Sequence, residues 1–297
     1  MTIIKYVGSK LQFVDTITRK MPPKHGLNTF GDYYEPFLGS AAIALNMITC
    51  DHKAYLSDIS PELINMWLCV QRDPIRLFNA VMAIGSPKCA EDYLVVRTSY
   101  NEAKCQGLVD GMTNGIKWLE SLSPKDAYMI ASQYIWLNKT KFNGLERVNS
   151  KGKNNVSWNK NLKPCFPTKQ QIENASYTLR NAEITCQSFR TALQNVKEND
   201  LVYCDPPYDS TFAGYTADRF EWESQYYLST LLKELASRGA YVFASNSNTD
   251  QVRSLYQDWE ISILHRKGTV NCKGSDRGKV AELLMTRKFE MEDAIAS

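Results

Sequence analysis

The chain has 297 residues, 43% of them hydrophobic, with 35 basic side chains against 32 acidic ones; that is enough for one large α/β domain or two smaller ones, and too apolar for a disordered chain. No apolar run approaches the roughly 18–20 residues of a membrane span, and Met1-Thr2-Ile3-Ile4-Lys5 lacks the basic-then-apolar pattern of a secretory leader, so a cytoplasmic protein is expected. The eight cysteines form no C-x-x-C pair and there are three histidines, which argues against a zinc site and against imidazole-based catalysis.

Leu11, Val14, Ile17 and Met21 recur at helical spacing, and Pro22-Pro23 stop the helix they predict. Tyr33 to Phe37 reads as a short strand, Gly39-Ser40 as a turn, Ala41 to Ile48 as a helix, and Ala54 to Leu56 as a second strand ending at Ser57-Asp58. A strand, a glycine turn, a helix and a strand closing on an acid about twenty residues after the turn is the nucleotide-cofactor layout of doubly wound sheets. From Pro61 to Lys139 the periodicity is helical, with Asp73-Pro74 as a cap and Ala127 to Leu137 rich in Tyr and Trp. Asn143 to Asn161 is polar, with a hairpin expected at Lys151-Gly152. The α/β pattern returns after Thr168. Leu201 to Cys204 and Tyr241 to Ala244 read as buried parallel strands, Trp222 to Ser237 as a helix, and Ile261 to Leu264 with Ala281 to Thr286 as a closing hairpin. The expected architecture is α/β, a doubly wound, mostly parallel sheet formed by residues 1–60 and 168–297. A helical and hairpin insert at 61–167 interrupts it.

The net charge of +3 hides an asymmetry. Lys139 to Lys169 holds eight Lys/Arg and one acid, Glu146; His265 to Lys288 holds seven Lys/Arg and two acids, which leaves the rest of the chain at −9. Two basic strips on an acidic body suit a polyanion binder, and a solvated Lys-rich loop is the plainer alternative.

Asp205-Pro206-Pro207-Tyr208 follows directly on a buried-strand run and so opens the carboxyl end of a central strand, where doubly wound sheets place their sites. The prolines stiffen the turn, the Asp205 carboxylate and Pro206 carbonyl can converge on one ligand group, and Tyr208 offers a flat face to a base.

With this motif the chain resembles the Dam-type DNA adenine-N6 methyltransferases (D12 class, alpha group), and the resemblance runs through most of its length. Lys5-Tyr6-Val7-Gly8-Ser9-Lys10 is similar to the family's N-terminal cofactor motif and Glu35-Pro36-Phe37-Leu38-Gly39-Ser40 to its glycine loop, where Ala41 replaces a usual second glycine. Leu56-Ser57-Asp58-Ile59 resembles the strand end whose acid binds the cofactor ribose. Leu137-Asn138-Lys139 and Phe142-Asn143-Gly144-Leu145-Glu146-Arg147 resemble the target-recognition region. The implied fold is that of S-adenosylmethionine-dependent methyltransferases, with S-adenosylmethionine as cofactor, double-stranded DNA as partner, and no metal. The implied catalytic residues are Asp205, Pro206, Pro207 and Tyr208. Tyr6, Lys10, Glu35, Phe37, Gly39, Asp58, Ser188, Phe189 and Asp205 would line the cofactor, with Lys10 pairing its carboxylate, Asp58 its ribose hydroxyls, and Ser188 and Phe189 its adenine.

Arg147 is expected to read a guanine through O6 and N7, Phe142 to wedge beside the displaced base, Asn143 to hold its abandoned partner, and Leu145 to meet a thymine methyl. Core packing is the alternative for Phe142 and Leu145. Lys5 and Lys139 are expected to make positioning contacts to base or phosphate, and Lys273, Arg277 and Lys279 to clamp phosphates. The function implied is methylation of a flipped adenine, with GATC as target. Relaxed specificity, a related enzyme acting on RNA or protein, and a silent DNA-binding module are the alternatives. A dinucleotide oxidoreductase is disfavoured because no G-x-G-x-x-G follows a strand.

Overall fold

All four side chains of the run Leu201–Cys204 are buried, because the strand lies inside a sheet covered on both faces. The computed structural model describes residues 2–26, 29–49, 51–104, 112–208, 220–265 and 281–287. Its strands are β1 (Tyr33–Glu35), β2 (Ala54–Asp58), β3 (Ala182–Cys186), β4 (Leu201–Cys204), β5 (Tyr241–Ser247), β6 (Glu260–His265) and β7 (Ala281–Arg287). They form one seven-stranded sheet in the order β3-β2-β1-β4-β5-β7-β6. β1 to β5 pair in parallel, and β7 runs antiparallel to both β5 and β6, which is the expected closing hairpin. The order reverses between β1 and β4, and a doubly wound sheet opens its crevice at the carboxyl ends of the strands at such a point.

The helices are α1 (Val14–Thr18), α2 (Ala44–Met47), α3 (Pro61–Arg72), α4 (Pro74–Ile84), α5 (Ala90–Ala103), α6 (Met112–Ser121), α7 (Pro124–Thr140), α8 (Lys169–Leu179), α9 (Phe189–Ala192), α10 (Trp222–Ser237) and α11 (Asp250–Leu255). Three of them start on the same device. Ser60, Asp73 and Ser123 each accept a hydrogen bond from a first-turn N–H, and Pro61, Pro74 and Pro124 follow where a missing N–H costs nothing. Alternation along β4 sends Leu201 and Tyr203 to one apolar cluster, shared with α1, α3, α7 and α8. Val202 and Cys204 go to the other, shared with α9, α10 and α11. Residues 59–181, between β2 and β3, carry α3 to α8, and α3 lies in the same cluster as Leu56 and Ile184 of the sheet.

Several sequence expectations needed correction. The helix predicted through Met21 is α-helical only over Val14–Thr18 after a 3₁₀ turn at Leu11–Phe13. Lys20 and Met21 bond back three residues, to Ile17 and Thr18, so the chain tightens before the two prolines. The helix predicted over Ala41–Ile48 shrinks to Ala44–Met47, because Ala41 is left-handed at φ 54° and cannot belong to it. β3, α8 and α11 were not foreseen; β3 alternates polar and apolar residues over only five positions and lies at the sheet edge. Among the described residues no helix is long and apolar enough to cross a membrane.

Candidate active site

Asp205 to Tyr208 leave the carboxyl end of β4, beside the crevice. The turn is braced from behind. Gln225 of α10 donates to the Pro207 carbonyl at 2.9 Å, and Asn246 of β5 donates to the Gln225 side-chain oxygen at 2.9 Å. Pro206 is buried, and Asp205 keeps 18% of its side chain exposed, enough to meet a ligand.

The Lys10 ammonium, 2% exposed, lies 2.7 Å from Asp205 Oδ1 and 2.8 Å from Oδ2. It also donates to the Gly8 carbonyl at 2.6 Å and sits 4.9 Å from the Tyr208 ring centroid. The anions beside Lys10 in this geometry are protein carboxylates. A second buried carboxylate, Glu282 of β7, stands 3.3 Å from the same ammonium and accepts from the Tyr208 hydroxyl at 2.7 Å. Sequence reasoning missed Glu282, Gln225 and Asn246. An acid inside the apolar run Ala281-Glu282-Leu283-Leu284-Met285 was the available signal, since such a group stays buried only with partners.

The glycine loop follows β1. Gly39 has φ 46°, and an added Cβ would lie 3.0 Å from Tyr6 Cε1; the residue lets the Tyr6 ring approach the loop backbone. Its N–H donates to Asp58 Oδ2 at 3.1 Å, and its carbonyl accepts from the Trp67 indole at 3.0 Å. Asp58 Oδ1 accepts from Ser60 N–H at 3.0 Å. Ser60 caps α3. Burial raises the Asp58 carboxyl above its ordinary value, against the N–H groups of Ser60, Gly39 and Ile59. Burial likewise pushes the Glu35 carboxyl up to about 8, with the Asp205 charge adding to it and the Tyr33 hydroxyl opposing. Phe37 and Phe189 stack with centroids 5.5 Å apart, and Ser188 caps α9 through Thr191 N–H.

These residues suit a cationic ligand that also carries hydroxyl groups. Asp205 and Glu282 together outnumber the single ammonium between them, which favours a positive ligand. Asp58 accepts backbone N–H groups on both oxygens and keeps lone pairs for hydroxyl donors.

A second cluster lies at the end of α7. Asn138 clasps the Lys5 backbone, accepting from its N–H at 2.8 Å and donating to its carbonyl at 2.7 Å. A Cβ on Gly144 would fall 2.9 Å from Lys5 Cβ, so the turn Phe142–Gly144 rests on Lys5. Burial, with the neighbouring Lys5 charge, lowers the Lys139 amine to about 8. Lys141 is buried and paired with Glu146 at 2.6 Å, which leaves Phe142 outside, 53% exposed. Asn143 is exposed at φ 51°, and Leu145 is half-buried. Arg147 is exposed and donates to Asn155, at 2.8 Å to its side chain and 3.2 Å to its carbonyl. The Lys151-Gly152 hairpin forms around the bridge Val148–Asn154. Lys273, Arg277 and Lys279 lie outside the described residues. Among the described residues no group of three His, Cys, Asp or Glu side chains could hold a metal ion.

A family model, that of the D12 class N6 adenine-specific DNA methyltransferases, matches residues 6–272. The chain is 30% identical over 289 residues to the type II methyltransferase M1.LlaDCHI of Lactococcus lactis subsp. cremoris, covering 95% of this chain and 93% of that protein. It is 29% identical over 287 residues to the retron Ec67 DNA adenine methylase of Escherichia coli, covering 95% and 90%. The DNA adenine methylase of Escherichia coli K12 is 27% identical over 293 residues, covering 96% and 94%.

Proposed function

Because the chain belongs to the D12 class of N6 adenine-specific DNA methyltransferases, we propose that it methylates an adenine turned out of double-stranded DNA, with GATC as the target. Asp205 carries this reading. It is a partly exposed acceptor carboxylate on a double-proline turn at the crevice, with an aromatic ring three residues on. S-adenosylmethionine, the cofactor, supplies a methyl group already activated on a sulfonium.

The protein's part is positioning. Asp205 accepts a hydrogen bond from the exocyclic amine and the Pro206 carbonyl takes a second. Together they draw the nitrogen lone pair out of ring conjugation and aim it towards the methyl donor. Tyr208 stacks on the extruded base. The nitrogen would take the methyl directly as the donor's sulfur–carbon bond breaks, leaving a neutral thioether. The proton the amine sheds would pass to Asp205 or to solvent, so no cysteine or histidine is required. Asp58 takes the ribose hydroxyls, and Tyr6, Glu35, Phe37, Gly39, Ser188 and Phe189 form the rest of the cofactor wall. The contact of Lys10 with Asp205 and Glu282 favours a role in orienting Asp205 over one in holding the cofactor carboxylate.

Residues 61–167 are the target-recognition insert of this reading. Arg147 reads a guanine once released from Asn155, and the exposure of Phe142 supports a wedge beside the displaced base. Asn143 holds the abandoned partner and Leu145 contacts a thymine methyl. Lys5 and Lys139 position the duplex, and Lys273, Arg277 and Lys279 supply phosphate contacts.

Incubating the full chain with unmethylated genomic DNA and sequencing the modified bases tests this. N6-methyladenine confined to GATC is expected. A spread over adenines in all contexts removes the GATC assignment. Methyl transfer to RNA or protein in place of DNA removes the substrate.

A further inference from the structure

Glu282 is 1% exposed on β7, on the strand face it shares with Leu284 and paired across to Leu264 of β6 and Ser247 of β5. A carboxylate in that company carries a desolvation cost that only good partners offset. Its partners include the two side chains that frame Asp205. Oε2 accepts from the Tyr208 hydroxyl at 2.7 Å and lies 3.3 Å from the Lys10 ammonium, which is itself 2.7 Å from Asp205.

We propose that Glu282 is a positioning residue for methyl transfer. It anchors the Tyr208 ring for the incoming base and gives Lys10 a second carboxylate to hold when Asp205 turns to the substrate amine. The proposal rests on the adenine-methylation reading above.

The reason lies in what Asp205 must do. To accept from an amine, its carboxylate has to loosen from Lys10. With Asp205 as sole counter-charge, that step would leave a buried ammonium uncompensated. Glu282 is already within 3.3 Å of the ammonium, so a small displacement exchanges one carboxylate for the other and the charge stays paired. The hydroxyl bond acts on the second framing group. A tyrosine whose O–H is fixed on a buried acceptor presents its ring in one orientation, so that order need not be imposed at each turnover.

Three single variants of the full chain and one double variant separate these roles. Glu282→Gln keeps the volume and an acceptor for the hydroxyl but removes the charge. Glu282→Ala removes both, and Tyr208→Phe removes the hydroxyl alone. With unmethylated plasmid DNA and labelled S-adenosylmethionine, kcat should fall about 10-fold in Glu282→Gln and about 100-fold in Glu282→Ala. KM for DNA should stay within about 2-fold, and the Kd for the cationic cofactor should rise by far less than kcat falls. The losses in a Glu282→Ala, Tyr208→Phe double variant should fall short of their product, since both act on one contact. Wild-type kcat in Glu282→Gln overturns the charge role, and wild-type kcat in Glu282→Ala overturns the whole proposal. A loss of kcat matched by equal losses in cofactor binding and Tm makes Glu282 merely structural. Failure of the function reading would show separately, as absence of N6-methyladenine from the unaltered chain.

Discussion

Lys10 and Asp205 are 195 residues apart in the chain, and the ammonium of one lies 2.8 Å from a carboxylate oxygen of the other. The pair joins the N-terminal segment to the carboxyl end of β4. The same segment begins at Lys5, clasped by Asn138 of α7. Residues 5–10 therefore run from the turn at Phe142–Gly144 to the carboxylate at Asp205.

Replacing Asp205 by Ala removes the acceptor for the amine while Lys10 keeps Glu282 as a counter-charge. Methyl transfer should fall by about 10²–10³-fold or more. Cofactor binding should remain measurable by calorimetric titration. Full activity in this variant would sink the proposed mechanism.

Glu35 makes stability depend on pH. Its carboxyl sits near 8 in the folded chain against an ordinary 4.5, so the folded chain keeps a proton that the unfolded chain gives up between those values. Stability should fall as pH rises through that window and level off above it, by at most about 1.4 kcal/mol per pH unit. Glu35→Gln should therefore gain on the wild type as pH increases from 5 to about 8, read by thermal unfolding. A cationic cofactor favours ionised Glu35, so its affinity should rise over the same window and lose that dependence in the variant. A difference in Tm that does not change with pH would remove Glu35 as the titrating group.

Gly39 and Ala41 are both left-handed, yet they should respond differently to exchange. Gly39→Ala puts a Cβ 3.0 Å from the Tyr6 ring at φ 46° and should cost about 1–2 kcal/mol or more. It should also weaken cofactor binding. Ala41→Gly relieves a similar strain but gives up a buried methyl, about 0.8 kcal/mol, and about 0.5–1 kcal/mol of backbone entropy, so the balance is near zero. Thermal unfolding compares the two, and equal losses would contradict this account.

Arg147 is exposed and tied to Asn155, so its removal should leave the fold intact. Arg147→Ala should relax discrimination at one guanine by about 1–3 kcal/mol, seen as methylation at sites altered there. Binding of the unaltered protein to DNA should weaken steeply with salt despite the net charge of +3. A flat salt response would remove the two basic strips as backbone contacts.

Much of the scaffold was legible because the signals are local. Leu201 to Cys204 reads as a strand from its own apolar run, and Asp73-Pro74 announces a helix start through a contact spanning three residues. Asp205 to Tyr208 marks the crevice because it follows a buried strand directly. The helix at Ala41 misled because helical spacing says nothing about a left-handed residue at its first position.

What the chain by itself determined is therefore the buried central strands, the capped helix start at Asp73-Pro74 and the turn that bears Asp205. Periodicity, capping and proline act over a few residues, and each is written where it operates. Only the tertiary structure decided that Lys10 lies against Asp205, that Glu282 of β7 holds Tyr208, and that Gly39 is small to admit Tyr6. Those choices follow from burial. Once the sheet excludes water, each charge must find a counter-charge and each ring a surface, and the nearest one in space is far away in sequence.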